Sequence, residues 1–73
     1  MIIKEIKDLK ELKESYDYLD TRLIFFYDNG HVLGSDSWDV HLDSDKVILY
    51  DVLGNTTSCY FTKCKCYLMK EVD

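Results

Sequence analysis

Proline, alanine and glutamine are absent from this chain, arginine occurs once, and there are only three glycines and three cysteines. With so little glycine and no proline, no stretch reads as a linker. Gly30 and Gly34 stand as turn glycines, not as a dinucleotide or phosphate loop. Nucleophile-elbow and HExxH signatures are also missing, so an enzyme is not expected. No apolar run comes near the ~20 residues that span a bilayer, and no membrane partner is expected. Lys4, Glu5, Lys7 and Asp8 stand where a signal peptide would carry its apolar segment, so none is expected. The odd set Cys59, Cys64 and Cys66 lacks the even, dispersed pattern of a small secreted scaffold. It points to a reducing, cytoplasmic compartment and to thiols used as small core hydrophobes. The chain is filled instead with Ile, Lys, Asp, Tyr, Phe and Asn, with eight Lys to one Arg. AT-rich coding, as in some bacteria and their phages, imposes that bias.

What remains is one compact domain, residues 1–73. A chain of this size buries only about 60% of the surface its unfolded form exposes. Apolar residues make up 47% and aromatics 14%, which suffices for a core. Leu9, Leu12, Tyr16 and Leu19 fall on one helical face. Asp8 and Glu11 have capping-box spacing. Together they predict a helix over about 8–20, with residues 2–7 open to either helix or strand. From Arg22 onward the signals are β. Arg22 to Tyr27 is a strand, and Asn29-Gly30 suits a two-residue type I′ turn into His31–Leu33. Gly34 to Ser37 is a loop or wide bulge. Trp38, Val40 and Leu42 alternate with polar residues as a half-buried strand. Val47 to Leu53 reads as a central strand, and Cys59 to Met69 as the last, with Cys64, Cys66 and Leu68 on one face. The expected fold is α+β: one N-terminal helix on a four- to five-stranded antiparallel meander. Trp38 is expected in the core.

That layout leaves a problem. Leu23, Phe25 and Tyr27 point one way while Ile24 and Phe26 point the other, and one helix covers one sheet face. The second face must be met by curling toward a small barrel, by a homodimer or by another partner.

Two constellations invite a metal. Cys59-x4-Cys64-x-Cys66 with His31 and His41 offers thiols and imidazoles, but no CxxC knuckle, and Cys59 has the wrong strand parity. Asp39, His41 and Asp43 share a strand face, and an alternating solvated face explains them equally. No metal or cofactor is expected.

Charge is the remaining signal. The net charge is −5, and between Arg22 and Lys46 lie five Asp and no base. Asp28, Asp36, Asp39, Asp43, Asp45 and Asp51 form the candidate partner-binding set, with Tyr16, Tyr18, Tyr27 or Tyr60 as aromatic anchors. Such a field repels nucleic acid and attracts basic protein surfaces. In size and charge the chain is similar to the small acidic inhibitors, anti-CRISPR proteins among them, that phages use against host defence nucleases, and to immunity and antitoxin proteins. The likeness implies an inhibitor of a basic, nucleic-acid-binding protein. The alternatives are a homodimeric accessory protein and an immunity- or antitoxin-like partner of a toxin.

Overall fold

The computed structural model describes residues 1–17, 19–35 and 39–71, the side chain of Asp39 excepted. In chain order the elements are β1 (Ile2–Ile6), α1 (Leu9–Ser15), β2 (Thr21–Tyr27), β3 (Val32–Gly34), β4 (Asp39–Leu42), β5 (Val47–Tyr50), β6 (Thr56–Cys59) and β7 (Cys64–Lys70). They form two antiparallel sheets, ordered β1-β7-β2-β3 and β4-β5-β6. The chain is thus mostly β with one short helix among the described residues. The single meander of four or five strands is replaced, among the described residues, by seven strands in two open sheets, and neither closes into a barrel. The second sheet, not a curl of the first, meets the core. Trp38, Asp36 and Tyr18 lie outside the described residues.

The segment left open between helix and strand is strand β1 over Ile2–Ile6, with Lys7 outside it, and its register on β7 runs from Ile2–Lys70 to Ile6–Cys66. β7 therefore lies between the first two strands of the chain, pairing with β1 across 60–68 residues and with β2 across 37–49. The helix begins as the spacing indicates. Asp8 Oδ1 accepts from the Glu11 amide at 2.8 Å, and Glu11 Oε1 accepts from the Lys7 amide at 2.9 Å. It is shorter than expected, ending at Ser15 with Tyr16 already extended. The cause is local competition. Asp17 accepts from the Leu19 amide through Oδ1, and its backbone carbonyl and amide both engage the Thr21 hydroxyl. Leu19 consequently leaves the helical face and is 78% exposed.

Asn29-Gly30 does turn the chain, but through three residues. The Tyr27 amide donates to the His31 carbonyl and the Gly30 amide to the Tyr27 carbonyl, with Gly30 at φ +87° and no non-glycine among the described residues at positive φ. A type I′ turn needs positive φ at both central residues, so Asn29 rules it out here. This is a type I turn followed by a left-handed glycine. The β5–β6 loop repeats the design: Asp51 and Asn55 pair, and Gly54 sits at φ +84°. The strand expected to reach Leu53 therefore stops at Tyr50, and Val52 and Leu53 form a loop tip. Thr56–Cys59, polar by composition, is the strand the pattern did not reveal.

One core joins both sheets and the helix. Ile6, Leu23, Phe25, Cys64, Cys66 and Leu68 come from the larger sheet, Val47, Leu49 and Cys59 from the smaller, and Leu12 from α1. Fully burying each large aliphatic or Phe side chain contributes about 1.5–3 kcal/mol. The ion pairs Lys4–Glu11, Lys7–Glu5 and Lys70–Asp20 are solvent-facing at 3.5–3.8 Å, and such pairs contribute only about 0.2–1 kcal/mol. Packing, not surface charge, holds the fold. No helix among the described residues is long and apolar enough to cross a membrane.

Candidate functional site

Alternation on a strand sends every second side chain to the opposite face. On β2 and β7 the inward set is Leu23, Phe25, Cys64, Cys66 and Leu68. The outward set follows from register: Met69 lies beside Ile3, Tyr67 beside Ile24, and Phe26 between Lys65 and Val32. Together they line a shallow groove of about 350 Å³ bounded by Ile3, Ile24, Phe26, Lys65, Tyr67 and Met69. The rings of Phe26 and Tyr67 meet edge to face with centroids 5.6 Å apart, a diagonal cross-strand pair that orders the groove floor. The face left bare by one helix is thus real. The smaller sheet covers the inward face only.

The acidic candidates divide. Asp28 is exposed in the β2–β3 loop, and Asp45 is exposed in the β4–β5 turn. Asp43, half-buried, anchors that turn: its amide donates to the Lys46 carbonyl at 3.0 Å and its Oδ1 accepts from the Ser44 amide at 2.7 Å. Connectivity brings these three toward one end. Tyr27, next to Asp28, bonds the Cys59 thiol through its side chain, Cys59 pairs with Val47, and Val47 follows the 43–46 turn. None of the three has a Lys or Arg within ion-pair distance among the described residues. Lys46, the base nearest in sequence to Asp43 and Asp45, lies 5.7 Å from the Tyr60 ring centroid instead.

Asp51 stands apart, at the far end of β5. Its Oδ1 accepts from the Leu53 and Asn55 amides at 2.9 Å, and its Oδ2 accepts from the Asn55 side-chain amide at 3.1 Å. Desolvation works against the carboxylate, but the bonds from Asn55, Leu53 and Gly54 outweigh it and hold Asp51 below its ordinary 3.8. Turn chemistry accounts for this residue. Asp36 and the Asp39 side chain lie outside the described residues.

The three cysteines are free and buried. Burial pushes the Cys66 thiol up to about 12 and Cys64 to about 11, with neighbouring thiols adding to both. Burial also raises Cys59, against a hydrogen bond with Tyr27 that lowers it. The Tyr27 hydroxyl is raised by burial first and by its bond to Cys59 second. Cys64 Sγ donates to the Tyr60 carbonyl at 3.1 Å. These are neutral packing groups, poor nucleophiles and poor metal ligands. Among the described residues no three His, Cys, Asp or Glu gather where they could hold a metal ion. Asp43 has left the strand that carries His41, which ends at Leu42.

Sequence reasoning had Ile24 and Phe26 on the second face but not Ile3, Val32, Tyr67 and Met69 beside them. Their alternation was visible; the strand order that assembles them was not. No family model, curated protein or solved structure matches this chain.

Proposed function

We propose that the chain is a non-catalytic binding protein that covers a basic, nucleic-acid-binding surface on another protein, as an inhibitor or modulator acting in the cytoplasm. The observation that carries this reading is the group of carboxylates at one end, Asp28, Asp43 and Asp45, left without cationic partners among the described residues. Unpaired carboxylates on tight turns hold their charge at fixed positions, and a basic groove can meet them as it meets phosphates. The three neutral thiols support a role without nucleophilic chemistry.

The test replaces the charges and keeps the shape. Asp28→Asn, Asp43→Asn and Asp45→Asn together move the net charge from −5 to −2, and Asn still accepts the Ser44 amide at position 43. A panel of purified nucleases and other nucleic-acid-binding proteins is screened for loss of nucleic-acid binding when the chain is added. Against the protein so identified, the triple variant should associate more slowly, and the wild-type rate should fall with salt, because steering acts over about 8 Å at physiological ionic strength. An unchanged association rate, or one indifferent to salt, rejects the reading.

A further inference from the structure

Two apolar features of this chain face water, one concave and one projecting. One is the groove on the outer face of β1, β7 and β2, with Lys65 at its rim. The other is the β5–β6 loop tip, where Val52 is 89% exposed and Leu53 84%. A tight turn of this kind ordinarily carries Asn, Asp, Ser or Gly at its tip. Here two aliphatic side chains project into water from a loop that is already rigid. Asp51 and Asn55 close it by a backbone bond of 3.0 Å, the Asp51 carboxylate accepts three more, and Gly54 takes the left-handed conformation. Inserting such a tip into a groove costs little ordering entropy. The charges also match: the tip has the Asp51 carboxylate at its base, held ionised by its hydrogen bonds, and the groove has the Lys65 ammonium at its edge.

We propose that the Val52–Leu53 tip of one copy seats in the Ile3, Ile24, Phe26, Tyr67 and Met69 groove of a second copy. The contact is heterologous, tip to groove, rather than face to face. It buries a small area and is therefore weak and concentration-dependent. It does not rest on the acidic end, so it stands or falls separately from the binding function above.

Sedimentation velocity over micromolar to millimolar protein measures it. The wild type should associate as concentration rises. Leu53→Asp, at an exposed tip, and Phe26→Asp, in the groove, should each weaken association by about tenfold or more, with circular dichroism unchanged. If Phe26→Asp fails to fold, Phe26→Ser takes its place. The decisive sample is the mixture. Leu53→Asp keeps an intact groove and the Phe26 variant an intact tip, so the two should associate with one another while neither associates alone. A wild type that stays monomeric at millimolar concentration overturns the proposal. So does a mixture that fails to associate. So does loss of association in the Phe26 variant alone, which would mean that two groove faces pack on each other.

Discussion

The outward faces of the two sheets are unlike, although their inward faces are much the same. Inward, the larger sheet offers Leu23, Phe25, Cys66 and Leu68 and the smaller offers Val47, Leu49 and Cys59, all buried in one cluster. Outward, the larger sheet carries Ile3, Ile24, Phe26, Val32, Tyr67 and Met69, interspersed with Glu5, Arg22 and Lys65. The smaller carries His41, Ile48, Tyr50, Thr56 and Ser58, with Ile48 as its one aliphatic. The core constrains only the inward half of each strand. On the larger sheet Phe26 gains an edge-to-face contact with Tyr67, yet the smaller sheet manages with Ser and Thr at equivalent places. The apolar outer face is therefore not a requirement of folding this domain. Exposed apolar faces of this kind mark interaction surfaces in other proteins.

The strongest way to break the comparison is to strike what the sheets share. Phe25→Ala should cost about 3–5 kcal/mol. Stability of a domain is only about 5–15 kcal/mol, and less is to be expected at this size. Urea denaturation should find the variant largely unfolded or close to it. A variant that keeps the wild-type midpoint would mean that the two sheets do not depend on one core.

Next come the two glycines that close matching loops, one on each sheet. Gly30→Ala and Gly54→Ala should each lose about 1–2 kcal/mol, because both positions need positive φ. No neighbouring atom lies in the way of the added methyl, so conformation alone is at issue. Equal losses by thermal denaturation would show that the loops are equivalent in design. No loss at Gly54 would mean that its loop relaxes freely.

Titration separates the shared interior from the smaller sheet's rim. Folding holds Cys64 and Cys66 neutral to higher pH than the unfolded chain does, so their raised values favour the folded state below pH 9. That contribution should drain away between about pH 9 and about 12. Iodoacetamide labelling at pH 8 should accordingly be slow in the folded state and fast in urea. Rapid labelling of the native chain would contradict the buried thiols. Asp51 acts in the opposite sense: its lowered value contributes stability above the ordinary 3.8, lost as pH falls through the folded value. Hydrogen exchange of the Leu53 and Asn55 amides should report that loosening in acid.

The smallest effects sharpen the comparison itself. Ile24→Thr on the larger sheet and Ser58→Ala on the smaller should both change stability by about 0.5 kcal/mol or less. Only the first should reduce binding of a hydrophobic dye such as ANS. Equal dye binding by both variants would erase the distinction between the faces.

Some of this architecture is legible in the residues alone. Asp8 and Glu11 mark where the helix begins, because capping is a contact between neighbours in the chain. Gly30 and Gly54 mark turns, and the alternation of Cys64, Cys66 and Leu68 marks a strand with one buried face. The helix end was misplaced because Asp17 and Thr21 compete for the backbone in a way that side-chain periodicity does not register. β6 escaped because Thr56-Thr57-Ser58 has no apolar rhythm and is held by its pairing with β5. Of the acidic set, Asp28, Asp43 and Asp45 have no Lys or Arg within ion-pair distance among the described residues. The set's division into one end with Asp28, Asp43 and Asp45 and another with Asp51 depends on strand direction.

The sequence by itself determined the capped start of the helix, the tight turns, the net negative charge and three thiols suited to burial. All of these follow from composition or from contacts within a few residues. Tertiary structure alone decided that β7 pairs between β1 and β2, that the strands form two sheets instead of one meander, and that Ile3, Ile24, Phe26, Tyr67 and Met69 share one groove. Those outcomes rest on pairing across most of the chain. A strand carries no label for a distant partner, and its place is set when the buried faces of both sheets close on a common core.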